Sequence, residues 1–266
     1  MRASRGASTI DGMNTETASA ATPEAAAALM AADPTLPPDR DGDELFTLYT
    51  VLGMPFASGH VLAFRDVVAS SVGPAYRAVW VRDPDERWTL ITTAPAEVSC
   101  PRYWGAGNRH EQVAAIETDW PDPQTLHIRV PGRIDWRLQF GSRPSTRFMS
   151  WMGGAMPEAA WRNDGLLGAM GPVASVLLHS GHVNLRCTTP NRQHFKGAPT
   201  MLWPVATSRA TLDGVGLGAP RALAHQAHIG ELWIPQHGFF IAATTRYTAF
   251  DPAKHLSPTD SATGLA

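Results

Sequence analysis

The sequence predicts a mainly β protein whose antiparallel sheets form a barrel or a sandwich, with a short helical insert near residues 157–179. Three observations predict it. Short runs rich in Val, Ile, Trp, Tyr and Thr recur along the body, each bounded by turn residues. Apolar and polar residues alternate on both sides of Pro- and Gly-containing turns, which is the period of a half-buried strand. Only one long segment carries helical spacing instead.

Residues 1 to 43 are rich in Ala, Thr, Ser, Pro and Asp. They hold too few large apolar groups to offset the entropy of ordering and are expected to be disordered. A short helix over Pro23 to Ala32 is the exception, with Thr22 as N-cap, Pro23 at the first turn and Asp33-Pro34 as its stop. Met13 reads naturally as a start, which would make residues 1–12 an upstream extension. The segment from residue 251 to 266 is equally polar and reads as a flexible tail.

The body, residues 44–250, opens with the apolar run Leu45 to Leu52. Strands follow over His60 to Ser70, Tyr76 to Arg82 and Arg87 to Thr93. The last two form a hairpin around Asp83-Pro84-Asp85-Glu86, because Pro presets φ and Asp bonds its own turn backbone. Leu126 to Val130 and Ile134 to Phe140 pair around Pro131-Gly132-Arg133. Val183 to Thr189 and Gln193 to Gly197 pair around Pro190-Asn191. Met201 to Leu212, Leu232 to Ile234 and Phe239 to Tyr247 supply the later strands, and Gly214-Val215-Gly216 reads as a hairpin turn. Between the strands, Pro157 to His179 carries Trp161, Leu166, Leu167, Met170, Val173, Leu177 and Leu178 at helical spacing. Its glycines divide it into helices near 157–163 and 165–179. The insert would join two β halves, about 44–150 and 180–250, as a lid, a plug or ordinary packing.

Composition narrows the function. The 22 basic residues are scattered and offset by 24 acidic ones, which argues against a nucleic-acid partner. Charged residues make up 17%, below the usual ~25%; such a surface suits a ligand, a partner or self-association into a homo-oligomer. Arginine takes almost every basic position, which points to a GC-rich, bacterial origin. No apolar run reaches the ~20 residues of a membrane span, and Arg2 and Arg5 precede no apolar signal region, so a cytoplasmic location is expected. Cys100 and Cys187 are too few for a disulfide framework or a Cys-rich metal site. A single bridge stays open, and two reduced buried thiols are the plainer reading.

No nucleophile elbow, dinucleotide loop or Walker pattern occurs, so no cofactor is expected. His225, His228 and Glu231 lack a third nearby ligand, and His179 with His182 straddles a helix end; no metal site is expected at either. The remaining candidates are acids, bases and aromatics. His60, beside Arg65-Asp66, is a candidate general base, or a plain strand-start histidine. Glu117, Asp119 and Asp135 lie on neighbouring strands next to Trp120 and Trp136. A carboxylate held against an indole in an apolar cavity would have its pKa raised and could donate a proton; capping turns or pairing with Arg129, Arg133 or Arg137 is the alternative. Lys196 is one of two lysines, a Schiff-base candidate if desolvated and otherwise a solvated hairpin-end residue. Trp80, Trp88, Trp136 and Trp203 are candidates to line a ligand pocket or to fill the core.

The order of Trp-bearing hairpins, Ala78-Val79-Trp80 to Arg87-Trp88-Thr89 and then Arg133-Ile134-Asp135-Trp136-Arg137, resembles the two-part lipocalin-like proteins of the carotenoid 1,2-hydratase type. The likeness spans Val61 to Tyr247 as a pattern, with no diagnostic motif and no catalytic residue to transfer. It implies β-barrel-like halves around an apolar ligand. The expected function is therefore binding of a small apolar molecule, with cofactor-independent isomerisation, hydration or cyclisation as the chemistry it would support. A non-enzymatic interaction or scaffold module is the alternative.

Overall fold

The computed structural model describes residues 21–39 and 41–257. The expectations for residues 1–20, the Met13 start among them, and for the last residues of the tail lie outside these. Ten strands form one continuous, curled sheet, so the predicted mainly β class is what the chain adopts.

The first half of the sheet is built by local hairpins. Strands β1 (Glu44–Pro55), β2 (Val61–Ser70), β3 (Tyr76–Arg82) and β4 (Trp88–Thr92) pair antiparallel in sequence order. The β3–β4 turn forms as the sequence demands: Asp83 Oδ1 accepts the Arg87 backbone N–H at 2.9 Å. A short strand, β5 (Arg109–Gln112), adds parallel to β4 at the edge. At the opposite edge, β6 (Glu117–Asp122), β7 (Thr125–Val130) and β8 (Ile134–Phe140) form a meander. In β8 every second residue is buried, placing Ile134, Trp136, Leu138 and Phe140 inward and Asp135, Arg137 and Gln139 outward.

Strands from both ends of the chain then join the two edges. The third hairpin pairs β9 (Arg186–Thr188) with the start of β10 (His194–Leu212), and β11 (Val215–Gly216) folds back on its end. The small pair β12 (His228–Ile229) and β13 (Leu232–Trp233) stands apart from the main sheet. The last strand, β14 (Phe239–Tyr247), inserts between β1 and β10, while β10 also borders β8. The main path therefore runs β5-β4-β3-β2-β1-β14-β10-β8-β7-β6. Strands from before and after the helical insert are woven into one sheet.

Strand β10 can run 19 residues because it changes partners along its length, pairing with β14 from Phe195 to Pro204 and with β8 from Val205 to Leu212. Its prolines fit this use. Pro199 sits at a register shift, and Pro204 ends the β14 pairing, so their missing N–H groups fall where the ladder is irregular. Strand β1 bends at a bulge between Val51 and Met54, where Gly53 has φ +81° and a Cβ would meet the Pro235 carbonyl oxygen at 2.3 Å.

Both faces of the β1–β4 region are covered. One face joins Tyr49, Val51, Phe64, Val79, Trp136, Trp203 and Phe240 in a core that fills the curl. The other joins Phe46, Leu48, Trp80, Trp88, Trp104 and Tyr247 under the turn of helix α2 (Pro101–Trp104) and the segment around β12 and β13. Helix α1 (Pro23–Ala32) forms with Thr22 Oγ1 accepting from the Ala25 N–H, and buries Ala26, Ala27 and Met30 in the first core. The packed chain thus reaches back past residue 44.

The helical insert is longer than expected and starts earlier. Helix α3 (Pro144–Ala155) was not legible in the sequence, since its largest apolar residues, Phe148 and Trp151, face solvent and its buried stripe is Thr146, Met149 and Gly153. The expected helix near 157–163 shrinks to a single 3₁₀ turn at Ala160–Arg162. Helix α4 (Asp164–Leu178) follows, with Asn163 Oδ1 accepting from the Leu166 N–H at 3.0 Å. Met149, Ala174 and Leu178 pack these helices on Leu202 and Phe239 of the sheet, so the insert is neither lid nor plug but a layer against the strands.

Candidate functional site

The residues singled out in the sequence do not gather at one place. Asp119 and Asp135 do converge, on His127: its Nε2 lies 2.9 Å from Asp135 Oδ1 and its Nδ1 3.4 Å from Asp119 Oδ1. Arg129 joins them, with Nε 3.1 Å from Glu117 and Nη1 3.4 Å from Asp119. This cluster stands on the outer face of β6–β8. Strand period separates these carboxylates from the indoles: Trp120 and Trp136 point to the core, so their neighbours Asp119 and Asp135 point away from it. The four tryptophans divide as well, Trp136 and Trp203 on one face of the sheet and Trp80 and Trp88 on the other. Their indole N–H groups bond internally, Trp136 to Ser208 Oγ at 2.9 Å and Trp88 to the His228 carbonyl at 2.9 Å.

His60 sits at the mouth of β2, 3.0 Å from Ser58 Oγ; burial lowers its pKa against the pull of Asp83. Asp66 is not its partner. That carboxylate accepts from Tyr49 Oη and Arg77 Nε, each at 2.8 Å, in a closed arrangement. Of the other histidines, His228 Nδ1 is engaged by the Gly230 carbonyl, and Glu231 accepts the Thr188 N–H at 2.7 Å. Among the described residues no group of three or more His, Cys, Asp or Glu side chains is arranged to hold a metal ion. Cys100 and Cys187 are both free and buried.

The chemistry concentrates where no motif points, at the start of β10 and the end of β14. His194 and Lys196, two apart on β10, share a face, and Lys196 stands directly opposite Arg246 of β14. These residues floor a cleft of about 620 Å³ that Asp41, Asp43, Thr248, Phe250, Asp251, Lys254 and His255 complete. A volume in the range of ~300–1,000 Å³ suits a small molecule. The chain's two lysines, Lys196 and Lys254, both line it.

Each cation of the cleft has a counter-ion. Asp164, in the first turn of α4, accepts from Lys196 Nζ at 2.9 Å through one oxygen and meets His194 Nε2 at 2.9 Å through the other. Arg246, almost fully buried, pairs with Glu158 and donates to the Pro38 carbonyl; Lys254 pairs with Asp251 at 3.0 Å. Lys196 also donates to the Arg162 carbonyl at 2.8 Å. It is therefore ion-paired, not desolvated among apolar groups as a Schiff-base lysine would be. Two of its three N–H donors are used, and the third is available to a guest. Asp43 differs from its neighbours: burial, with the charge of Asp39, raises its pKa above the ordinary value in spite of Arg246 and Lys196. The lone lysine beside His194-Phe195 was the one sequence signal that leads here.

A second buried carboxylate, Glu44, lies one residue away but on the opposite face. It accepts from Arg102 Nη2 at 2.6 Å and Nε at 3.1 Å, from Tyr103 Oη at 2.5 Å and from Gln193 Nε2 at 3.1 Å. Burial alone would raise its pKa; these bonds overturn that and hold it below the usual value. Glu44 thus fastens β1 to α2 and to the turn that leads into β10.

No known protein family matches the chain, and no curated protein does. Among solved structures, acetoacetate decarboxylase from Legionella pneumophila is similar over 86% of this chain and 95% of its own, with 10% identity and a TM-score of 0.35. A protein described as AttH from Nitrosomonas europaea is similar over 80% of this chain and 54% of its own, with 11% identity and a TM-score of 0.29. The chain thus spans about half the length of the latter. Likeness this distant transfers neither substrates nor residue roles. Neither neighbour is a carotenoid hydratase, and what stands of the resemblance read from the sequence is the curled β-sheet.

Proposed function

We propose that the protein binds a small organic anion, such as a carboxylate, in the cleft floored by Lys196 and Arg246. The observation that carries this reading is the pairing of two cations directly across neighbouring strands. Like charges in register oppose strand pairing, so the placement costs stability unless anions surround it. Asp164 and Glu158 supply part of that compensation, and the unused Lys196 donor leaves room for a guest. The charged lining favours a polar or anionic ligand over the wholly apolar one expected from the sequence. If the guest is transformed, the reaction is cofactor-independent proton transfer, with Asp43, a carboxylate of the lining whose pKa burial raises, as the candidate acid–base group.

The test is a thermal-denaturation panel of butyrate, succinate, benzoate and phosphate with wild type and Lys196→Met. A bound anion at ~100 times its Kd stabilises by about 2.7 kcal/mol, which for a chain of this size raises the melting temperature by roughly 5 °C. The expected outcome is a saturable rise for at least one carboxylate in wild type and its loss in Lys196→Met. A rise of equal size in both proteins, or none with any member, sinks the reading.

The helical insert favours a second reading, an interaction module. Of eight exposed large apolar residues among those described, five (Phe148, Trp151, Leu166, Val173 and Val176) lie on α3 and α4, with Trp151 69% exposed. Phe148 and Trp151 lie side by side, ring centroids 6.0 Å apart, and exposed apolar surface that is contiguous marks contact sites. Sedimentation velocity of wild type against Trp151→Glu separates the two: self-association lost in the variant supports the module, and a monomer throughout removes it.

A further inference from the structure

The second core contains a buried charge that no carboxylate among the described residues pairs with. Arg65 lies on β2 among Ala63 and Val67, and only 7% of it is exposed. Its guanidinium lies over the Trp80 ring, with Cζ 4.1 Å from the centroid, and 5.8 Å from that of Trp104. No carboxylate among the described residues forms an ion pair with it, and its Nε–H is buried with no hydrogen-bond partner. The ionisable groups nearest to it stay neutral. Burial pushes the Cys100 thiol up to about 11 and the Cys187 thiol to about 12 although Arg65 pulls both down, and it raises Tyr76 and Tyr247 above the ordinary tyrosine value.

Beside the guanidinium is a small void. Arg65, Tyr76, Tyr103, Tyr247, Thr245 and Phe46 line a cavity of about 10 Å³. A cavity of roughly that size holds a single water-sized species. The Tyr247 hydroxyl hydrogen-bonds with the Arg65 side chain and accepts the Trp104 indole N–H at 3.0 Å, so Arg65 has a neutral polar partner but its Nε–H has none. An unpaired buried charge is costly, and buried cations are paired with an anion or neutralised. Arginine cannot give up its proton in a protein, so only the first solution is open to it.

We propose that the Arg65 chamber is a binding site for a monatomic anion, a halide such as chloride, which supplies a counter-charge that no described carboxylate gives it. The void admits one atom of that size and excludes sulfate, phosphate or a carboxylate. Phe46, Tyr76, Tyr103 and Tyr247 line the void, and an aromatic ring edge carries positive hydrogens that suit an anion.

Thermal denaturation in sodium chloride, sodium bromide and sodium gluconate at equal ionic strength tests the site with the intact protein. Chloride and bromide are expected to raise the melting temperature saturably over gluconate, on the order of 5 °C at a hundred-fold excess over Kd. The Arg65→Met variant is expected to lose that difference while general salt effects persist. Should the variant fail to fold, crystals of wild type grown with bromide give an independent answer, an anomalous peak within hydrogen-bonding reach of the Arg65 guanidinium. Equal melting temperatures in chloride and gluconate, or a bromide-grown crystal with no peak there, would overturn the proposal and leave the void to water.

Discussion

Glu44 and Arg65 stand on adjacent strands, are both buried, and border the same aromatic core, yet they are built in opposite ways. Glu44 accepts four hydrogen bonds from three side chains. Arg65 meets aromatic faces, and its Nε–H is orphaned. Burial of a charge alone therefore does not identify a site. A charge whose bonds are all made within the chain holds the fold together; a charge with donors to spare is where a guest belongs. By the same measure Lys196 falls between them, ion-paired but with one donor over.

The largest effect that can break this comparison is removal of Glu44. Glu44→Ala strands Arg102 and unpairs Tyr103 and Gln193, and loss of one partner from a buried pair costs about 3–5 kcal/mol. Urea denaturation followed by tryptophan fluorescence should register it at pH 7. A loss below about 1 kcal/mol would mean that the network is dispensable, since that is the worth of an ordinary surface pair.

The same carboxylate sets an acid limb. Its pKa is lowered on folding from the ordinary value of 4.5. A depressed carboxylate contributes stability that is present above the unfolded value and lost as pH falls through the folded one. Wild-type stability should thus decline as pH drops below about 4.5, and Glu44→Gln should flatten that limb. An unchanged limb in the variant would assign the acid sensitivity to other carboxylates.

Arg65→Met sharpens the contrast from the other side. Replacing a buried charge that lacks a carboxylate partner by an apolar side chain of similar length is expected to be neutral or stabilising, within about 1 kcal/mol, in halide-free buffer. A loss comparable to that of Glu44→Ala would show that Arg65 has structural bonds of its own.

The smallest effect is expected on the outer face of β6–β8. Asp135→Asn and Glu117→Gln alter pairs that are largely exposed, and each should change stability by less than about 0.5 kcal/mol. A larger loss at Asp135 would promote the His127 cluster from surface pairing to a structural role.

Much of the fold was legible because it rests on local rules. The hairpins at Asp83-Pro84-Asp85-Glu86 and Pro131-Gly132-Arg133, the Thr22 cap and the span of β14 follow from turn chemistry and alternation. Helix α3 was not legible, because its Phe148 and Trp151 face outward and its buried stripe of Thr146, Met149 and Gly153 holds a single large apolar side chain. The site was harder still. Alternation already separated Asp135 from Trp136, and applying it to the candidates would have removed the carboxylate–indole pairing. The meeting of Lys196 with Arg246, 50 residues apart in the chain, depends on β14 lying between β1 and β10, a pairing no local pattern encodes.

The cleft can be watched directly, because its two lysines are the only ones in the chain. Lysine carrying ¹³C at the ε position should give two resonances, and Lys196→Arg assigns them. Titration with whichever carboxylate of the panel stabilises most is expected to shift the Lys196 resonance saturably, at the concentration that raises the melting temperature. A Lys196 resonance that stays fixed while the protein is stabilised would place the anion elsewhere and contradict the account.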